Sequence, residues 1–144
     1  MTEQDIIKLA QEMIDAHMAH DNDRLGATVT DDFIYHEFGT QRSVRGRQAV
    51  LDIWQGWRQA FPDVKGAITT IFVSGNQALA ETVWEGTFQG ALITPGGTIP
   101  GTGKRLEQFP VAFVYTVEGD KFKEVHNYFD LISLLQQIGA MPQR

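Results

Sequence analysis

After Val64 the chain changes period. Residues Lys65 to Val73, Gln77 to Gln89, Arg105 to Val117 and Lys121 to Phe129 alternate in steps of two. Ser74-Gly75-Asn76 and Glu118-Gly119-Asp120 stand between two pairs of these runs as hairpin turns. Strands joined this way commit the second half of the chain to a mostly antiparallel sheet, and a sheet with an apolar face needs a covering layer. The row Ala78, Ala80, Thr82, Trp84, Gly86 and Phe88 is apolar but interrupted by small side chains, which suits either covering helices or the lining of a cavity. Pro110 lacks a ladder donor, so the run containing it is expected at an edge or at a bulge. Between Gln89 and Arg105 the Gly-, Pro- and Thr-rich segment reads as a long loop over a pocket; its GTGK lacks the upstream glycine of a phosphate-binding loop and precedes a strand.

The covering layer comes from the first half. Thr2 is placed to cap a helix in which Ile6, Ala10, Met13, Ile14 and His17 recur at steps of three and four, ending near His20. Asp21 or Asn22 caps a short second helix through Arg24 to Val29. TDDFIYHEFG then reads as a strand with Phe33, Tyr35 and Glu37 on one face and Ile34, His36 and Phe38 on the other, which leaves His36 either a hydrogen-bonded core histidine or a pocket residue. Val50, Ile53, Trp54, Trp57 and Phe61 form a helical stripe stopped by Pro62, so both tryptophans are expected inside, as core or against a ligand. His17 and His20 lack further ligands at supporting spacing, so no metal is expected there.

A chain of 144 residues with this pattern is expected to form one domain, residues 1–144. With 12 Lys+Arg against 18 Asp+Glu, a net charge of −6 argues against nucleic acid or an anionic membrane as partner. The absence of cysteine excludes disulfides, thiolate nucleophiles and zinc–thiolate sites. The amphipathic, charged N-terminus does not read as a signal peptide, and no apolar run approaches the roughly 20 residues of a membrane span. A soluble cytoplasmic protein is the resulting expectation.

The stretch Lys121–Gly139 passes from strand to helix at Asp130. If the strand is regular, Glu124, His126, Tyr128 and Asp130 share one face, an unusual density of titratable groups for a core. Asp130 has two readings, a carboxylate at the site and the N-cap of LISLLQQIG. His126 is too far along a strand to bond Asp130 but is placed to meet the same ligand, with Gln108 and Tyr128 as further polar contacts.

The motifs Ala60-Phe61-Pro62-Asp63, Gly75-Asn76, Gly86-Thr87-Phe88-Gln89-Gly90, Thr102-Gly103-Lys104, Asp120-Lys121-Phe122-Lys123-Glu124, Asp130 and Leu134-Leu135-Gln136-Gln137-Ile138-Gly139 resemble, in order, those of the SnoaL-like polyketide cyclases, in the nuclear-transport-factor-two superfamily. The chain departs from that pattern at Phe88, where the family usually has histidine, and at His126, where it commonly has tryptophan. The resemblance implies a cone-shaped α+β barrel, with helices on the concave side of a curved sheet, and a homodimer. It also implies intramolecular aldol closure of a hydrophobic, polyketide-like substrate without metal or cofactor. Asp130 would be the general acid/base, to which the reading of the residues themselves adds His126 as a donor to a substrate carbonyl. His36, Trp54, Trp57, Trp84, Phe88, Gln108 and Tyr128 are the expected substrate contacts. A hydrolase or isomerase of the same fold and a non-catalytic binding domain are the alternatives. An epoxide hydrolase would show Arg105 between two carboxylates at the pocket floor.

Overall fold

The helical stripes and alternating runs assemble as expected into helices laid on the concave face of a curved sheet, in a computed structural model that describes residues 1–141. Two helices come first, α1 (Glu3–Met18) and α2 (Asn22–Gly26). A hairpin, β1 (Val29–Glu37) and β2 (Arg42–Arg45), leads to α3 (Arg47–Ala60). The strands β3 (Lys65–Ser74), β4 (Gln77–Thr87), β5 (Leu92–Thr94), β6 (Gly97–Ile99), β7 (Arg105–Glu118) and β8 (Lys121–Tyr128) precede α4 (Leu131–Gln137). The main sheet has the order β2-β1-β8-β7-β4-β3, and every neighbouring pair is antiparallel except β1 with β8. The first strand of the chain therefore lies beside the last.

α1 starts where its cap chemistry dictates: the Thr2 hydroxyl accepts from the Asp5 amide while the Asp5 carboxylate accepts from the Thr2 amide. α2 is shorter than its spacing predicts and ends at Gly26, because Val29 is already paired with Phe122 in the sheet. Three short strands escaped the sequence reading. β2 is four residues paired to β1, and the expected Gly/Pro-rich loop folds as the two-stranded ribbon β5–β6, anchored by the buried side chain of its own Leu92. Pro110 lies in a central strand between β8 and β4. The register slips just before it, where Trp84 faces Phe109 but Gly86 faces Leu106, and Gln108 takes φ +50° to make the bulge.

The core has two centres. One, between α1, α3 and the sheet, contains Ile6, Met13, Phe33, Tyr35, Trp54, Tyr115 and Val125; the other, under α4 and the ribbon, contains Phe61, Phe88, Phe109, Leu134 and Ile138. A cavity opens where they meet.

Candidate active site

Inward-pointing side chains follow from strand parity, and parity on β8 is set by a bulge. Thr116 faces Glu124 but Val117 faces Phe122, so Lys123 is an extra residue and both Phe122 and Val125 turn into the core. From Val125 on, the odd positions face inward. Val125, Asn127 and Phe129 line the cavity, whereas Glu124, His126 and Tyr128 lie on the opposite, outer face. Three of the four polar residues singled out in the sequence, Glu124, His126 and Tyr128, do alternate together, but away from the cavity, and Asp130 lies beyond the strand.

The cavity measures about 130 Å³ and is walled mainly by aromatic and aliphatic side chains. Trp54, Trp57 and Trp84 all contribute to its wall. Trp54 meets the edges of Phe33 and Tyr35 with centroids 5.8 and 5.4 Å away. Trp84 lies over Gly66, its partner in register, where any Cβ would come within 2.5 Å of the indole. Its Nε1 donates to Thr82 Oγ1 at 2.8 Å. Among the described residues, the polar groups of the lining belong to His17, Tyr35, Tyr115, Asn127, the three indoles and Glu85.

At one end, Glu37 is fully buried and accepts from four side chains. Tyr35 Oη reaches Oε2 at 2.6 Å and Trp57 Nε1 reaches the same oxygen at 2.9 Å; Thr40 Oγ1 and Arg42 Nε reach Oε1 at 2.5 and 3.0 Å. Burial, then the Glu37 charge, raise the Tyr35 phenol well above its ordinary pKa, so it remains a donor. Asn127 Nδ2 donates to Tyr35 Oη at 2.9 Å, and Asn127 Oδ1 is buried without a protein partner among the described residues. Such an orphan acceptor beside a cavity calls for a ligand or water to satisfy it.

At the other end stands His17. Arg58, 3 % exposed on α3, directs Nη1 at His17 Nδ1 at 3.0 Å and Nη2 at Asn22 Oδ1. A guanidinium only donates, so Nδ1 accepts and the neutral ring carries its proton on Nε2. Burial, reinforced by the Arg58 charge and by His20, pushes the His17 pKa down to about 3. His17 thus presents an uncharged N–H donor backed by a buried cation. His20 turns elsewhere, its Nε2 3.0 Å from the Pro62 carbonyl oxygen, so the two histidines do not converge.

The remaining sequence candidates fall outside the cavity. Asp130 caps α4: Oδ1 accepts from the amides of Ile132 and Ser133 at 3.0 and 3.3 Å, and Oδ2 from Ser133 Oγ at 2.8 Å. These bonds hold its carboxyl below the usual carboxylate range, the opposite of what a general base needs. His126 and Tyr128 belong to the outer face, as does His36, which bonds Ser43 rather than the core. Phe88 is wholly buried and stacked on Phe61, and Gln108 is exposed at the bulge. Arg105 does sit among carboxylates, 3.1 Å from Asp63, 3.5 Å from Glu107 and 3.9 Å from Glu85, but at the surface with its side chain 44 % exposed. His17, Glu37 and Asn127 were missed as site residues, although a glutamate on the Phe33–Tyr35 face already demanded buried partners.

A curved sheet closed by helices over an aromatic cavity defines the ketosteroid isomerase-like class of α+β folds. A hypothetical protein from Catenulispora acidiphila described as having that fold superposes with a TM-score of 0.75, at 20% identity over 92% of this chain and 93% of its own. The family model for SnoaL-like polyketide cyclase matches residues 7–138, and the chain belongs to that family. A proposed SnoaL-like polyketide cyclase from Jannaschia sp. CCS1 superposes with a TM-score of 0.84, at 17% identity over 97% of this chain and 95% of its own. An LEH-like epoxide hydrolase from M. tuberculosis does so at 0.71, with 20% identity over 94% and 90%. No curated protein sequence matches the chain. At these identities the structures define the fold alone.

Proposed function

We propose that the chain takes a flat, largely apolar, polyketide-like carbonyl compound into the cavity and promotes carbon-acid chemistry on it, as an intramolecular aldol cyclase does. The observation that carries this reading is the His17–Arg58 pair, a neutral imidazole donor polarised by a buried guanidinium in a water-poor aromatic cavity. Donors preorganised toward a developing oxyanion are worth most where solvent is excluded. The substrate carbonyl oxygen accepts from His17 Nε2–H, and the carbon beside it loses a proton to a carboxylate. Glu85 is the one carboxylate that lines the cavity among the described residues, so it takes that role in place of Asp130. The enolate carbon then bonds to a second carbonyl of the same molecule, and the resulting alkoxide recovers the proton from Glu85. Asn127 Oδ1 accepts from a substrate hydroxyl and fixes the other end.

The test uses the three tryptophans of the cavity as reporters. Binding of a planar naphthol- or anthrone-type ketone is followed by quenching of their fluorescence, and exchange of the proton beside its carbonyl with D2O is followed by NMR. His17→Phe is expected to keep binding within a few-fold while exchange slows about 100-fold, the usual cost of losing one oxyanion donor. Binding without any enzyme-dependent exchange in the wild type would turn the reading toward a non-catalytic carrier. The epoxide-hydrolase alternative has no support at the cavity floor, where no arginine lies among the described lining residues.

A further inference from the structure

The outer face of the β1–β8 pair carries a second cluster with no place in the cavity chemistry. In the parallel ladder His36 lies directly beside His126 and Ile34 beside Glu124, so two imidazoles and a carboxylate are brought onto one patch by register alone. Glu124 Oε2 is 2.5 Å from His126 Nε2 and 3.9 Å from His36 Nε2, and one ligand atom from each residue lies within 4.8 Å of the others. The three side chains are about one-third exposed, at 28, 33 and 31 %.

From this geometry we infer a divalent metal site of the His36–Glu124–His126 type, with Zn2+ as the ion that its donors suit. Two nitrogens and one carboxylate oxygen are the ligands that a borderline cation prefers, and three protein ligands leave a fourth position toward solvent. Donors on a tetrahedral Zn2+ stand roughly 3.3 Å apart when each is about 2.0 Å from the ion. The present separations bracket that value, so small side-chain rotations close the site.

The supporting contacts point the same way. His36 Nδ1 is 2.7 Å from Ser43 Oγ on β2, which can accept its proton and leave the Nε2 lone pair for the ion. His126 Nδ1 faces Tyr128 Oη at 3.4 Å, and Phe38 stacks over both Tyr128 and the His36 ring at centroid distances of 4.6 and 6.0 Å. Across on β7 stand Val114 and Thr116, which bring no competing cation. An ion bound there takes the place of the direct His126 Nε2–Glu124 Oε2 contact. The site departs from the sequence expectation of no metal, because the register that pairs His36 with His126 joins residues ninety positions apart.

Calorimetric titration of tag-free protein with Zn2+, and the visible spectrum of the Co2+ form, test the inference. One ion per chain is expected, with a Co2+ spectrum typical of four-coordinate nitrogen and oxygen ligation, and with a rise in melting temperature. His126→Ala and Glu124→Ala should abolish the Co2+ spectrum, and Ser43→Ala, which leaves all three ligands in place, should weaken binding about tenfold. Both the absence of saturable binding at millimolar Zn2+ and unaltered binding in a His36→Ala/His126→Ala double variant would overturn the assignment.

Discussion

The two faces of the β1–β8 pair are built from alternating residues of the same two strands, yet they are opposite in character. Inward, Tyr35, Glu37 and Asn127 form a buried network whose carboxylate is fully supplied with donors. Outward, His36, Glu124 and His126 form a partly exposed cluster. A glutamate on the inner face is fixed by its partners, whereas one on the outer face is available to exchange them. Polar residues on a strand therefore acquire their meaning from the face they occupy, and residue type alone does not supply it.

Paired substitutions sharpen this contrast. The largest expected effect is from Glu37→Ala, which strands the Arg42 guanidinium and three further donors; it should cost about 3 kcal/mol or more in urea unfolding. Glu124→Gln, the matched change outside, should stay within about 0.5 kcal/mol when measured in chelator. Comparable losses at both positions would break the comparison.

Next comes ligand binding. Asn127→Leu should weaken binding of the planar ketone about tenfold, as the loss of one well-placed hydrogen bond does. His126→Leu should leave it unchanged, and a fluorescence titration of the two variants side by side decides between the faces.

Acid stability offers a third test. With the folded His17 pKa at about 3 and an ordinary value of 6.5, the unfolded chain binds the extra proton between those limits. The stabilisation from keeping His17 neutral is thus complete above pH 6.5 and is lost as the pH falls toward 3. His17→Gln should flatten the fall in unfolding free energy between neutral and acid conditions, measured with denaturant.

The smallest effect belongs to Asp130. Asp130→Ala should lower the melting temperature modestly by removing a cap, without slowing deuterium exchange into the ketone. Because its folded pKa is depressed, the difference from wild type should be present above the ordinary value of 3.8 and fade as the pH drops through the lower folded one. A hundredfold loss of exchange in this variant would restore Asp130 to the chemistry.

Much of the architecture was legible because it rests on local periodicity. The α3 stripe, the four long strands and the hairpin turns carry their signal within a few residues, and the ordered motifs named the family. The face of β8 that looks inward was not legible from a regular alternation, since the extra residue at Lys123 reverses parity between Phe122 and Val125. The apolar flanks Val125 and Phe129 did carry that signal, with Asn127 between them. β2 and the β5–β6 ribbon are short strands whose stability comes from pairing, which composition reports as loop. The Arg58–His17 contact joins residues forty-one positions apart and has no local trace at all.

The adjacency of β1 and β8 has a temporal consequence. Asn127, which completes the cavity against Tyr35, lies ninety-two positions after it, so the inner wall closes only once β8 has been made. Loop closure over such a span is entropically slow, and the aromatic faces of α3 and β1 remain unmatched until then. A nascent chain stopped before Lys121 should expose that surface to chaperones and aggregation partners, making β8 the step that converts a sticky intermediate into a closed cavity.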